Sequence, residues 1–268
     1  DLFLTSGGGD FFGKSDALLD AYYLQTDSSF VRQKLPEVFQ NSSVVVSNDF
    51  DKDGDLDLFV GGHTITSKFG AQPHSLVLEN KEGSFTPYNG FDQNIYNGMV
   101  TDALWDDFDG DGTTDLIIIG EWMSPKFLKN ENGTFREVAN LKLNGLWQSM
   151  APFDIDADGD MDYMLGNWGT NSKFRASPKN PMKLYYSDFD GNGQTETITA
   201  LEKNGTYYPL ETLDGLASQV VSLKKRFTSY KSFAGTAING LFPETVLENA
   251  TVLEVHTLQS GYLKNDNG

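Results

Sequence analysis

Residues 49–57 read DFDKDGDLD, with an acidic side chain at every second position and one glycine at the sharpest bend. Carboxylates spaced in this way repel one another unless a positive charge sits among them. A hard dication fits. Ca²⁺ takes about six to eight oxygens at roughly 2.3–2.6 Å from carboxylates and backbone carbonyls of a flexible loop. Asp49, Asp51, Asp53 and Asp57 are then the side-chain ligands and Asp55 adds its carbonyl oxygen, while Gly54 takes the bend where a Cβ would cost most.

The string returns three times, as DFDGDGTTD at 107–115, DIDADGDMD at 154–162 and DFDGNGQTE at 188–196. The corresponding ligands are Asp107, Asp109, Asp111 and Asp115 with Thr113; Asp154, Asp156, Asp158 and Asp162 with Asp160; and Asp188, Asp190, Asn192 and Glu196 with Gln194. Three to four Ca²⁺ sites are expected, the fourth being weakest because Asn192 replaces an aspartate. An EF-hand opens in the same way but needs a bidentate acid at its twelfth position and a helix on each side. The twelfth positions here are Val60, Ile118, Leu165 and Thr199. The first three loops run instead into LDLFVGG, DLIIIG and MDYMLG, short apolar runs that read as strands.

A formal charge of −18 argues against nucleic acid as a partner, since phosphates need a basic face. The four loops hold 17 of the 38 acidic side chains, five, four, five and three in turn, so the acidity is largely a metal signature. No cysteine is present, which removes disulfides, cysteine-ligated zinc and thiol catalysis together. No apolar run reaches the roughly 18 residues of a membrane span. Loops of this type suit millimolar calcium, so an extracytoplasmic location is expected, whether secreted, cell-surface or periplasmic.

Each acidic loop follows a strand and precedes another. Next comes a Gly-rich turn (SGGGDFFGKS from Ser6, GGHTITSKFG from Gly61, GEWMSPKF from Gly120, GNWGTNSKF from Gly166) and then a hairpin ending at Phe30, Phe85 or Phe135. Four strands per repeat of about 50 residues is the pattern of a β-propeller blade. The fold class expected is therefore all-β, a propeller of four-stranded blades with Ca²⁺ loops between strands one and two. Asp1 aligns with Asp57, and GYLKNDNG at 261–268 aligns with FLKNENGTF at 127–135, so the chain reads as part of a longer protein. The fourth loop is out of phase and aligns with the hairpin between strands three and four. Residues 212–250 change pattern, with Leu216, Val220, Leu223 and Phe227 at helical spacing, Asp214 placed to cap, and a basic cluster of Lys224, Lys225, Arg226 and Lys231. The divisions expected are blades over 1–211, a helical insertion of two or three short helices over 212–250, and the start of a further blade over 251–268.

The loops closed at their ninth residue and gripped between strands resemble the FG-GAP, or VCBS, repeat of integrin α-chain propellers, over about residues 1–200. More loosely, the order of loops, the DFDGNGQTE hairpin, the LKKRF helix and the SGYLKNDNG return look like bacterial VCBS-repeat proteins related to cartilage acidic protein. That resemblance implies an extracytoplasmic, Ca²⁺-bound propeller. The helical stretch departs from plain integrin repeats, so integrin-type adhesion is not implied.

In such a fold the face opposite the metal loops would carry His63, Lys68, Trp122, Trp168, Lys173 and Arg175, with Tyr96, Asn97, Trp147 and Gln148 from the links between blades. Aromatic rings beside amides and cations suit sugar stacking or protein contacts. No G-x-S-x-G, H-E-x-x-H or Walker sequence occurs, and His63, His74 and His256 are isolated from one another. The expected function is a non-catalytic binding module for a glycan or protein at the cell surface. A polysaccharide lyase or hydrolase on the same scaffold is the alternative, marked by paired acids in a central funnel. A flat, unpocketed face would instead mark a purely structural interaction module.

Overall fold

The computed structural model describes residues 1–8, 11–90 and 97–266. The strands form where the apolar runs predict them, and they pair antiparallel. The first sheet holds β1 (Leu2–Leu4), β2 (Ala21–Gln25) and β3 (Phe30–Gln33). The second is a meander of β4 (Asn41–Asn48), β5 (Asp57–Thr64), β6 (Leu76–Lys81) and β7 (Ser84–Pro87). The third repeats it with β8 (Met99–Asp106), β9 (Asp115–Met123), β10 (Lys126–Glu131) and β11 (Thr134–Asn140), and continues through Leu146 opposite Glu121 into β12 (Gly145–Phe153) and β13 (Asp162–Asn167).

The first six residues of β5 and of β9 are all buried. Their continuous apolar runs make sense because sheets cover both faces. Tyr22, Leu58, Val60 and Leu78 fill the space between the first and second sheets. Phe50, Phe59, Val100, Leu116, Ile118 and Phe135 fill that between the second and third. Phe108, Ile117, Phe127, Tyr163 and Leu165 fill the next. The sheets are thus stacked face to face in chain order.

Two repeated devices fix this stacking. The pairing skips Ser43 in β4, Thr101 in β8 and Gln148 in β12, a β-bulge at the same place in each. Ser43 Oγ donates to the Val100 carbonyl at 2.6 Å and Thr101 Oγ1 to the Trp147 carbonyl at 2.8 Å, so each bulge ties its strand to the next sheet. Asparagine makes the second tie. The Asn130 side chain donates to the carbonyls of Thr114 and of Phe50 in the preceding sheet, both at 3.1 Å, while accepting from Gly133 N at 2.7 Å.

After β13 the chain departs from the sequence expectation. Residues 182–209 form a separate sheet of β14 (Met182–Ser187), β15 (Glu196–Lys203) and β16 (Thr206–Pro209), and β17 (Thr251–Val255) joins it beside β14. β18 (Gly261–Leu263) then pairs with β13, Tyr163 opposite Leu263. Residues 251–268 therefore do not start a further blade. Leu263 takes in the β12–β13 sheet the place that Leu128 takes in its own, which is why GYLKNDNG resembles FLKNENGTF. The fourth acidic loop joins β14 and β15, the central pair of its sheet, rather than strands three and four.

Five short helices follow, α1 (Leu213–Gln219), α2 (Ser222–Arg226), α3 (Tyr230–Phe233), α4 (Ile238–Leu241) and α5 (Glu244–Glu248), more than the two or three expected. Leu216, Val220, Leu223 and Phe227 are all buried, although the chain bends between α1 and α2. The cap of α1 is Thr212, whose Oγ1 accepts from Gly215 N at 3.2 Å; Asp214 sits inside the first turn and accepts from the Tyr230 hydroxyl. The helices cover one face of β14 and β15 through Ile198 and Ala200. The other face, with Met182 and Leu184, packs on Met99, Trp122 and Leu146. The inserted sheet is held between the helices and the strand ends opposite the first three acidic loops.

Replacing Asn130 by Ala is expected to cost about 2–4 kcal/mol, since two buried partners and one part-buried partner lose their hydrogen bonds. Asn80→Ala, whose amide among the described residues reaches the exposed Leu56 carbonyl and Gly83 N–H, should cost about 1 kcal/mol. Urea denaturation of both variants checks the difference.

Candidate metal centres

The four acidic loops adopt one hydrogen-bond pattern. The first acid accepts from the N–H of the glycine five residues on: Asp49 from Gly54 at 3.1 Å, Asp107 from Gly112 at 2.8 Å, Asp154 from Gly159 at 3.2 Å and Asp188 from Gly193 at 2.8 Å. The fifth side chain accepts from the N–H two residues on: Asp53 from Asp55, Asp111 from Thr113, Asp158 from Asp160 and Asn192 from Gln194. The asparagine thus keeps the geometry of the aspartates. Two backbone positions in each loop are left-handed, the expected glycine and also the residue two before it. The latter is Lys52 at φ 63° and Ala157 at φ 60° in loops one and three, but glycine in loops two and four. Sequence reading assigned only one bend per loop.

The last acid of each loop opens the following strand and is buried: Asp57 and Asp115 are 0% exposed, Asp162 1% and Glu196 3%. In the first three loops the third strand of the sheet, or the residues just after it, covers it. Asn80 N, Asn130 N and Asn265 N donate to Asp57, Asp115 and Asp162 at 2.9, 2.8 and 2.8 Å. A second donor reaches three of the four acids, from Phe50 N, Ile155 N and Phe189 N to Asp57, Asp162 and Glu196. Asp115 Oδ2 has no partner among the described residues, nor has the buried Asp49 Oδ1. Burial pushes the Asp57 carboxyl from 3.8 up to about 6 and that of Asp115 up to about 7, with neighbouring aspartates adding to both.

Ligand atoms converge in all four loops. One oxygen each from Asp49, Asp51 and Asp53, from Asp107, Asp109 and Asp115, from Asp154, Asp156 and Asp162, and from Asp188, Asp190 and Glu196 lie within 4.8 Å of one another. Each set could hold a metal ion. The unpartnered Asp115 and Asp49 oxygens and the purely oxygen donor set fit a hard cation better than a soft one. In loop one Asp57, with a backbone N–H on each oxygen, stands outside the set of three. In loops two and three it is the fifth position, Asp111 or Asp158, that stands outside.

Sequence reading missed two lysines. Lys129 on β10 reaches Asp109 and lies 2.8 Å from Asp111 Oδ2, and Lys264, beyond β18, lies 2.9 Å from Asp156 Oδ2 and 3.8 Å from Asp158 Oδ2. They hold matching places in FLKN and YLKN, which was the available signal. Hydrogen bonding to Lys129 keeps the Asp111 carboxyl below the usual range. Loop one carries Glu79 at that place, and its charge adds to the burial that raises Asp51.

The residues of the expected ligand face differ in exposure. Trp122 and Trp147 are buried at 8% and 3%, the first against the inserted sheet, the second with its Nε1 donating to the Leu143 carbonyl at 3.0 Å. Trp168 is 52% exposed, and His63 is half-buried with Nε2 at 3.6 Å from Glu121 Oε2. Asn97 is half-buried and its carbonyl accepts from Lys126. Lys68, Lys173, Arg175 and Gln148 are exposed. Tyr96 lies outside the described residues. Trp122 and Trp168 line one cavity together with Glu121 and Glu211, two carboxylates that sequence reading did not single out.

Residues 107–165, which span the second and third acidic loops and the strands between them, match the family described as FG-GAP-like repeat. No curated protein matches the chain. No helix among the described residues is long and apolar enough to cross a membrane.

A carboxyl with a raised folded-state value binds its proton more tightly in the folded chain, so stability falls as pH climbs from the unfolded value through the folded one. In chelator, Asp57 and Asp115 should therefore lower the melting temperature between about pH 4 and 7. Asp115→Asn should flatten that decline, read by thermal melts across the interval.

Proposed function

We propose that this chain is a calcium-binding arc of a β-propeller, of the FG-GAP kind and akin to the bacterial repeat proteins related to cartilage acidic protein, which works outside the cytoplasm as a non-catalytic binding module for a glycan or protein. The observation that carries the metal reading is the convergence of three carboxylate oxygens in each of four loops that share one hydrogen-bond pattern. Three acids so close are mutually repulsive, and a dication among them reverses the sign of the interaction. Ca²⁺ suits the set because the loops offer carboxylates at the odd positions and the carbonyls of Asp55, Thr113, Asp160 and Gln194 beside them. When bound, the ion supplies charge neutralisation and cross-links each loop. The chain's own residues position it: the buried last acid is fixed by strand three and the first acid by the glycine N–H, so the loop is shaped before a cation arrives. Stacked sheets then hold the opposite ends of the strands in register for recognition.

The expected result is a Ca²⁺-selective rise in melting temperature of several degrees at millimolar concentration, with Mg²⁺ giving less. Asp51→Ala should remove the contribution of loop one, leaving the other loops responsive. Lys129→Met should raise the apparent Ca²⁺ affinity several-fold, because an ammonium no longer competes for Asp109 and Asp111. Calorimetric titration of the three proteins tests this. Absence of any Ca²⁺ effect on stability, with no metal bound, would sink the metal reading.

A further inference from the structure

The cavity between the inserted sheet and the strand ends of β9 and β12 goes beyond the calcium reading and does not depend on it, since it lies at the opposite ends of those strands from the loops. Its volume is about 290 Å³, near the lower end for small-ligand sites. Phe69, Trp122, Trp168 and Phe174 supply aromatic walls, and the only charged residues among the described lining are Glu121 and Glu211. Trp168 and Phe174 sit with ring centroids 5.8 Å apart.

Three features mark this cavity as shaped for an occupant. Trp122 is held at φ 59°, a left-handed conformation unfavourable for a bulky residue, and such outliers concentrate at ligand sites. The bulge at Gln148 turns its amide onto Glu121 Oε1 at 2.9 Å, whereas the two matching bulges tie neighbouring sheets together. Glu211 has one oxygen satisfied by Thr199 N at 2.9 Å, while its buried Oε2 has no partner among the described residues. Burial raises the Glu211 carboxyl above its usual value. Glu121 has His63 beside it as a potential counter-charge. Glu211 has none.

We propose that this cavity binds a compact organic cation, an alkyl- or quaternary ammonium group, with its charge on Glu211 and its methylene or methyl groups against Trp122, Trp168 and Phe174. A desolvated ammonium gains from both the carboxylate and the faces of the indole rings. A neutral sugar would gain from stacking too and could donate a hydroxyl to Glu211, but it would bring no counter-charge to that carboxylate.

The test uses choline as probe and 3,3-dimethylbutan-1-ol as its neutral isostere, followed through the indole N–H resonances of the four tryptophans. Choline should shift two indole signals saturably, with the alcohol at least about tenfold weaker. Glu211→Gln keeps the acceptor for Thr199 N but loses the charge, and should weaken choline at least about tenfold without changing the melting temperature downward. Trp168→Ala, at an exposed position, should weaken it and remove one of the two shifted signals. The proposal is overturned if choline does not saturate, if the alcohol binds equally well, or if Glu211→Gln leaves choline binding unchanged. Saturation by glucose in place of choline would likewise overturn it, assigning the cavity to a neutral sugar.

Discussion

Everything in this molecule is arranged around a carboxylate that closes an acidic loop and is then buried as the first residue of a strand. Asp57, Asp115, Asp162 and Glu196 each do this. A buried ionised acid is costly unless hydrogen bonds or a positive charge compensate it. The chain supplies part of the compensation from strand three, through the backbone N–H of an asparagine, and so couples the loop to the hairpin beyond it. The same asparagine in the third sheet reaches the Phe50 carbonyl of the sheet before, which couples the loop to the stack. Asp115 is the least compensated, with one buried oxygen unpartnered among the described residues.

The loops are not equivalent in charge. Lysine stands over loops two and three, while glutamate stands over loop one. An ammonium can neutralise a pair of exposed acids, yet as a single charge it cannot cross-link the whole loop as a multidentate ion does. Affinity in oxygen-lined loops follows ligand charge and rigidity. The three loops therefore differ in the charge they would present to a cation.

The inserted sheet changes what the opposite strand ends can do. In a plain stack the turns beyond β5 and β9 would face solvent. Here Met182 and Leu184 cover Trp122 and Leu146, and five helices cover the inserted sheet in turn. The strand ends thereby line an enclosed cavity with aromatic walls and two carboxylates instead of an open surface.

By itself the sequence determined the acidic loops and the strands around them, because Asp alternation, the obligatory glycine and the apolar runs that follow are local patterns tied to local geometry. The β character and the repeated four-strand unit followed for the same reason, as did the burial of Leu216, Val220, Leu223 and Phe227. Tertiary structure alone decided the pairing of β18 with β13 and of β17 with β14, since strands far apart in the chain choose partners by available edges rather than by neighbours in sequence. It also decided which tryptophans are buried, and it brought Glu121 and Glu211 to one cavity. Neither glutamate stands in a motif. Their meaning comes from being enclosed together, which depends on how the sheets pack.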